Sequence, residues 1–126
     1  MRDAIKHFTD LEVWQKSHEL ALITYSLTAK FPKSELFGLT SQLRRAVTSI
    51  SANIAEGMGR GNYADRARFY YNARGSVYET ESHLITSKEL NFLDLNGFNK
   101  ASEVLNSTRM LLNAFISKTI EMGGSR

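Results

Sequence analysis

The sequence has no cysteine, one proline and only eight glycines in 126 residues. Without thiols there is neither a disulfide nor a thiolate metal site, and a small secreted domain usually needs such staples, so a reducing cytoplasm is the expected compartment. So few prolines and glycines cannot furnish the turns of an all-β fold, whereas the long intervals between them suit helices of about 20 residues or more. The opening run Met1-Arg2-Asp3-Ala4-Ile5-Lys6 lacks the apolar stretch of a signal peptide, and no segment approaches the roughly 18 apolar residues that cross a bilayer. A soluble chain with no membrane partner is expected.

Lysine, the usual coat of a solvated helix, is missing between Lys33 and Lys88. Arginine takes its place. From Arg44 to Arg74 there are six arginines (Arg44, Arg45, Arg60, Arg66, Arg68, Arg74) against two acids (Glu56, Asp65), a net +4, and the rest of the chain carries −1. The basic character thus belongs to one segment, and its planar guanidinium forks suit phosphate, carboxylate and interface contacts better than ammonium groups do.

The apolar spacing predicts an all-α, antiparallel four-helix bundle in one domain spanning 1–126, with helices over about 10–30, 38–57, 63–91 and 95–122. The first helix is expected to be capped by Thr9 or Asp10 and to stop before Pro32. It carries two apolar stripes: Val13, Leu20 and Leu27 with Ile23, and Leu11, Trp14, Ala21, Leu22 and Tyr25. In the second helix Leu39, Leu43, Val47, Ile50 and Ile54 fall within about 40° of one direction, and Gly57 is expected to close the helix in the left-handed conformation. Its other side holds Gln42, Arg45, Ser49, Ala52, Asn53 and Glu56.

Asn62, with Asp65 three residues on, marks the start of the third helix. Its core line is Tyr70, Ala73, Val77, Thr80 and Leu84, and a second line on another face is Tyr71, Gly75, Tyr78, Ser82 and Ile85. Asp94 caps a fourth helix with core positions Phe98, Ala101, Leu105, Thr108, Leu112, Phe115, Thr119 and Met122. The first and third helices carry more apolar surface than one bundle core absorbs. Self-association is the expected remedy, with Tyr71, Gly75, Tyr78, Ser82, Ile85, Ser49 and Ala52 as candidate interface residues.

The chemistry of catalysis is not written here. His7, His18 and His83 stand apart, and neither of the two Glu-x-x-His motifs that a dimetal bundle needs is present. Gly57, Gly59 and Gly61 lack the preceding strand that a phosphate-binding loop requires. No serine has a base at a spacing that supports nucleophilic attack. Neither a metal, a cofactor nor a catalytic residue is expected. The arginine segment has two readings. Arg60, Arg66 and Arg68, together with Arg44, form a candidate nucleic-acid surface, whereas Arg45, Asn53, Glu56 and Glu79 form a candidate structural network, with Arg45 and Arg74 pairing to Glu56, Glu79 or Glu81 across helices.

Phe8-x-x-Leu11-x-Val13-Trp14, Phe31-Pro32-x-x-Glu35, Leu39-x-x-Gln42-Leu43-Arg44-Arg45-Ala46 and, above all, Ser49-Ile50-x-x-Asn53-Ile54-Ala55-Glu56-Gly57-x-Gly59-Arg60 resemble the family of four-helix-bundle proteins encoded in intervening sequences of bacterial 23S ribosomal RNA genes. Ala73-x-Gly75-Ser76-x-x-Glu79 continues the match, which extends over about residues 8 to 115. The resemblance implies a homopentameric ring. It also implies kinship with the accessory protein of diversity-generating retroelements, which has a basic surface that binds nucleic acid and a reverse transcriptase. It brings no catalytic residues. Two functions remain open at this point: a nucleic-acid-binding oligomer, with RNA or DNA as partner, and a protein adaptor or scaffold whose arginines are consumed in salt bridges.

Overall fold

The protein's structure, a computed structural model, describes residues 7–124. Among them lie four helices and no strand: α1 Glu12–Thr28, α2 Leu39–Met58, α3 Tyr63–Glu89 and α4 Leu95–Gly124. Their ends follow the hydrogen-bonding needs of the free backbone groups. The Asn62 side-chain oxygen accepts from the Asp65 N–H at 2.8 Å and starts α3. Asp94 does the same for Gly97 at 2.7 Å and starts α4. Glu35, from a short 3₁₀ turn behind Pro32, reaches the Leu39 N–H at 3.1 Å and so caps α2.

Two expected caps are replaced. Thr9 and Asp10 do not cap α1 but lie in a 3₁₀ turn, Phe8–Asp10, in which Asp10 accepts from the His7 N–H at 3.2 Å. Leu11 occupies the α1 cap position without a side-chain bond, and the turn is tied on by Gln15, whose amide donates to the Thr9 carbonyl at 2.8 Å. Gly57 does not close α2 in a left-handed conformation: no glycine among the described residues has a positive φ, and α2 continues to Met58. The left-handed cap belongs to Asn91, φ 64°, at the end of α3. There the Asn91 N–H bonds the Lys88 carbonyl and the Phe92 N–H the Ser87 carbonyl, the paired closure of a Schellman motif with asparagine in the glycine position.

Each helix packs on its neighbours in sequence, and α1 closes against α4. Most of each core line is buried: Leu43, Val47, Ile50 and Ile54 from α2, Tyr70, Ala73, Val77, Thr80 and Leu84 from α3, and Ala101, Leu105, Thr108, Leu112 and Thr119 from α4. Leu39, Phe98 and Phe115 are half-buried, and Met122, expected in the α4 line, is exposed because it lies in the last turn of the helix, past Thr119, where the buried face of α4 ends. Each large apolar side chain removed from water contributes about 1.5–3 kcal/mol. The second stripe of α1 is less exposed than expected, because Ala21 is buried and Leu11 and Trp14 are half-buried, leaving only Leu22 and Tyr25 outside. The Trp14 indole lies flat on the His18 ring, with centroids 4.7 Å apart and planes 12° from parallel.

Gly57 has a packing reason instead of a conformational one. A Cβ there would stand 2.5 Å from Cε1 of Tyr70 and 3.1 Å from Cβ of Phe69. The bare backbone lets the amino-terminal part of α3 press against the last turn of α2. Because the helices run antiparallel, that contact, the start of α1 and the end of α4 all occupy one end of the bundle.

Candidate nucleic-acid interface

The close approach at Gly57 sets the ring of Phe69 beneath two arginines. The Arg60 guanidinium carbon lies 4.4 Å from the Phe69 centroid, and that of Arg68 lies 4.6 Å from it. Both are held from the side by carboxylates. Arg60 donates to Glu56 at 2.8 Å and approaches Asp65 at 3.9 Å, while Arg68 donates to Asp65 at 2.9 Å. Arg66 is fastened differently: its Nε donates to the Arg60 carbonyl at 2.8 Å, and its guanidinium lies 5.4 Å from the Tyr63 ring. Among the described residues no carboxylate lies within ion-pair distance of Arg66. Three guanidiniums are therefore ordered around the α2–α3 connection against two carboxylates, and most of their five N–H donors each remain for a further acceptor.

Beside them, between the first turns of α3 and the end of α4, lies a groove of about 880 Å³ walled by Tyr63, Ala64, Ala67, Ile120 and Met122 and edged by Asn62 and Thr119. The end of α4 comes close to Tyr63, where a Cβ on Gly123 would lie 2.9 Å from the tyrosine Cβ.

Arg44 is not part of this group. Its Nε donates to Thr28 Oγ1 at 2.8 Å and its guanidinium lies 4.6 Å from the Tyr25 ring. At 1.5 Å per residue it sits about 20 Å along α2 from the end that Arg60 follows. It ties α1 to α2.

The four residues expected to form one polar network engage separate partners instead. Arg45 donates to Gln42 at 2.6 Å, Asn53 to the Ser49 carbonyl at 2.8 Å, and Glu56 accepts from Arg60. Glu79 lies 3.3 Å from His83. The link between α2 and α3 is made by smaller groups, Ser76 Oγ donating to Ser49 Oγ at 3.0 Å. Arg74 reaches neither Glu79 nor Glu81; it donates to Asn113 of α4 at 3.2 Å and stacks on Tyr71 at 5.1 Å. The partner of Glu81 is Arg109, a residue the sequence reading had not singled out.

The second line of α3 faces outward. Tyr71, Tyr78 and Ile85 are 44%, 54% and 39% exposed, Gly75 and Ser82 lie open between them, and Met110 of α4 is 73% exposed nearby in sequence to Arg109, whose guanidinium lies 5.0 Å from the Tyr78 ring. On α2, Ala52 is exposed and Ser49 half-buried. Hydrogen bonding to Glu81 raises the Arg109 pKa above its ordinary value, burial opposing it. In the core, burial pushes the Tyr70 phenol up, while the Arg66 charge pulls it down more weakly.

Tyr63, Phe69 and Arg109 were missed as surface-forming residues. For Tyr63 a signal was available, since an aromatic residue three positions before an arginine, as in Tyr63–Arg66 and Tyr71–Arg74, places ring and guanidinium on one helix face. For Arg109 and Glu81, on different helices, spacing carried none. Among the described residues no three potential metal-ligating side chains cluster, and no helix is long and apolar enough to cross a membrane.

These features define a small all-α protein, a four-helix bundle with arginine–aromatic stacks on its surface. The chain belongs to the 23S rRNA-intervening sequence protein family, whose model matches residues 9–114. It is similar in structure to a protein of unknown function from the S23 ribosomal protein family of Bacteroides thetaiotaomicron, with a TM-score of 0.77 and 25% identity, over 82% of this chain and 97% of that one. No curated protein matches.

Proposed function

We propose that this protein is a non-enzymatic, cytoplasmic, self-associating bundle that binds nucleic acid through Arg60, Arg66 and Arg68. The observation that carries the reading is the ordering of three guanidiniums on Phe69 and Tyr63 against only two carboxylates, with Arg66 held by a carbonyl oxygen that leaves its charge uncompensated. A guanidinium fixed by stacking and one hydrogen bond loses little freedom when it meets a phosphate. Self-association, in a ring of five by the family resemblance, multiplies the effect by presenting one such cluster per subunit. The exposed line of Tyr71, Gly75, Tyr78, Ser82 and Ile85 is the surface assigned to it, with Ser49 and Ala52 of α2 as a second candidate patch.

The test is binding of RNA and DNA oligonucleotides, followed by fluorescence anisotropy at about 50 and 200 mM salt. Each phosphate neutralised contributes roughly −0.9 to the log–log salt slope on duplex, so three per subunit give about −2.7. Joint reversal of Arg60, Arg66 and Arg68 to glutamate abolishes binding and leaves the assembly intact. Absence of binding to any nucleic acid at about 50 mM salt would overturn the reading. A specific observation also favours an adaptor role: tyrosine and arginine, residues enriched at protein interfaces, are stacked on the surface at Tyr78 and Arg109, and Met110, the next residue in the chain, is exposed. On that reading the triple reversal leaves the surface around Tyr78 free to bind a protein, such as a reverse transcriptase, unchanged.

A further inference from the structure

The groove beside the arginines has the composition of a seat for a flat, mostly apolar group attached to an anion. Its volume, about 880 Å³, lies within the roughly 300–1,000 Å³ range of small-ligand sites. One wall carries the Tyr63 side chain, 36% exposed in spite of its neighbours, and the others are short or flexible apolar groups, Ala64, Ala67, Ile120 and Met122. The polar edge is sparse. Asn62 spends its carbonyl oxygen on the Asp65 N–H, which leaves its two amide hydrogens, and Thr119 donates its hydroxyl hydrogen to the Phe115 carbonyl, which leaves its oxygen to accept. One donor group and one acceptor are enough to orient a heterocycle and too few to read which one it is.

Charge identifies what the flat group belongs to. Arg66 connects the two halves of the site, since its guanidinium lies 5.4 Å from the Tyr63 ring and its Nε is bonded to the Arg60 carbonyl in the arginine cluster. A ring stacked on Tyr63 therefore brings any phosphate attached to it toward the Arg66 guanidinium. A base inside a duplex has both faces covered by its neighbours, and only an unpaired base can give one to a tyrosine. Exposed aromatics next to a basic track are the means by which single strands are held with little sequence preference.

We propose that this groove receives one unpaired nucleobase, stacked on Tyr63, so that the nucleic acid bound is single-stranded or ends in an unpaired overhang. The inference rests on the nucleic-acid reading above and specifies the state of the strand.

It is tested by anisotropy at about 50 mM salt with four probes of equal length: a single strand, the same strand with abasic sites, a blunt duplex and a duplex with a short overhang. The intact strand and the overhang bind about ten-fold or more tighter than the blunt duplex, and the abasic strand loses that margin, in line with the loss seen when a stacking aromatic is removed. Tyr63→Ala reduces single-strand affinity by about ten-fold and leaves blunt-duplex affinity and the salt slope unchanged, while Tyr63→Phe retains tight binding. Ala64→Glu, an exposed substitution that sets a negative charge in the groove, is a second variant for which the same selective loss is expected. Equal affinity for strand and blunt duplex, insensitivity to Tyr63→Ala, or equal displacement by poly-glutamate would overturn the base seat. The first two of those results leave the nucleic-acid reading standing. Failure of all four probes to bind removes both.

Discussion

Arg109 of α4 grips Glu81 of α3 with both ends of its guanidinium, at 3.0 Å to Oε1 and 3.2 Å to Oε2. The fork also reaches Asn106 at 2.8 Å. This is the one bidentate pair between helices among the described residues, and its geometry is the kind that outperforms ordinary surface ion pairs. Glu81 is partly open to water, which limits its worth. Glu81→Gln is expected to lower the unfolding free energy by about 1 kcal/mol. Urea titrations at low and high salt check this, the difference from the parent protein shrinking as salt rises.

Gly57→Ala is expected to destabilise the fold although alanine is the better helix former. The gain in helix propensity is about 1 kcal/mol, but the new methyl would meet the edge of the buried Tyr70 ring at 2.5 Å, and overpacking of that kind costs about 1–3 kcal/mol. In the background of Tyr70→Leu, which removes the opposing ring atom, the same substitution becomes neutral or favourable. A double-mutant cycle read by thermal denaturation measures the coupling; additive effects would show that the contact is not the cause.

Gly75 is the opposite case. Nothing lies within 4 Å of a Cβ built on it, so a side chain there is tolerated by the single subunit and relieves a glycine in a helix interior, worth about 0.5–1 kcal/mol for alanine. If Tyr71 and Tyr78 form the face by which copies associate, Gly75→Leu blocks it. The expected result is a well-folded monomer by light scattering at micromolar concentration, from a parent that is oligomeric. A monomeric parent would remove the self-association proposal altogether.

The Tyr70 phenol gives the fold an alkaline limit. Burial raises its pKa above the ordinary 10.0, so the unfolded chain loses this proton first as pH rises. Above about pH 10 the folded form binds more protons than the unfolded form, and stability falls with pH; below it the contribution is complete. Tyr70→Phe is expected to flatten the alkaline side of a stability-versus-pH profile measured by denaturant titration. An unchanged slope would assign the loss to the other tyrosines.

Much of the architecture could be read from spacing alone. Tyr70, Ala73, Val77, Thr80 and Leu84 are buried while Tyr71, Gly75, Tyr78, Ser82 and Ile85 are exposed, because a period near 3.6 residues sorts faces wherever a helix is long. Asn62 and Asp94 cap as their positions imply, since the N-cap interaction is local. Gly57 was misread because its role is set by Tyr70 on another helix, and local sequence cannot distinguish a glycine kept for its torsion angles from one kept for its lack of a side chain. The candidate site was legible only in part. Arg60, Arg66 and Arg68 converge because they are close in sequence, whereas Arg44 was grouped with them by composition and lies at a different level of α2. The Arg109–Glu81 clamp depends on the relative register of α3 and α4, which no single-helix pattern records.

The parallel contact of Trp14 with His18 has a practical consequence. The chain has a single indole, so its ultraviolet-excited emission reports on one place, where α1 begins and where the α2–α3 connection also lies. The native emission of this protein therefore follows the contact between the indole and the His18 ring, 4.7 Å apart, and the docking of that terminus. Unfolding curves recorded through this chromophore track that end of the bundle, and far-ultraviolet dichroism is needed to follow the other.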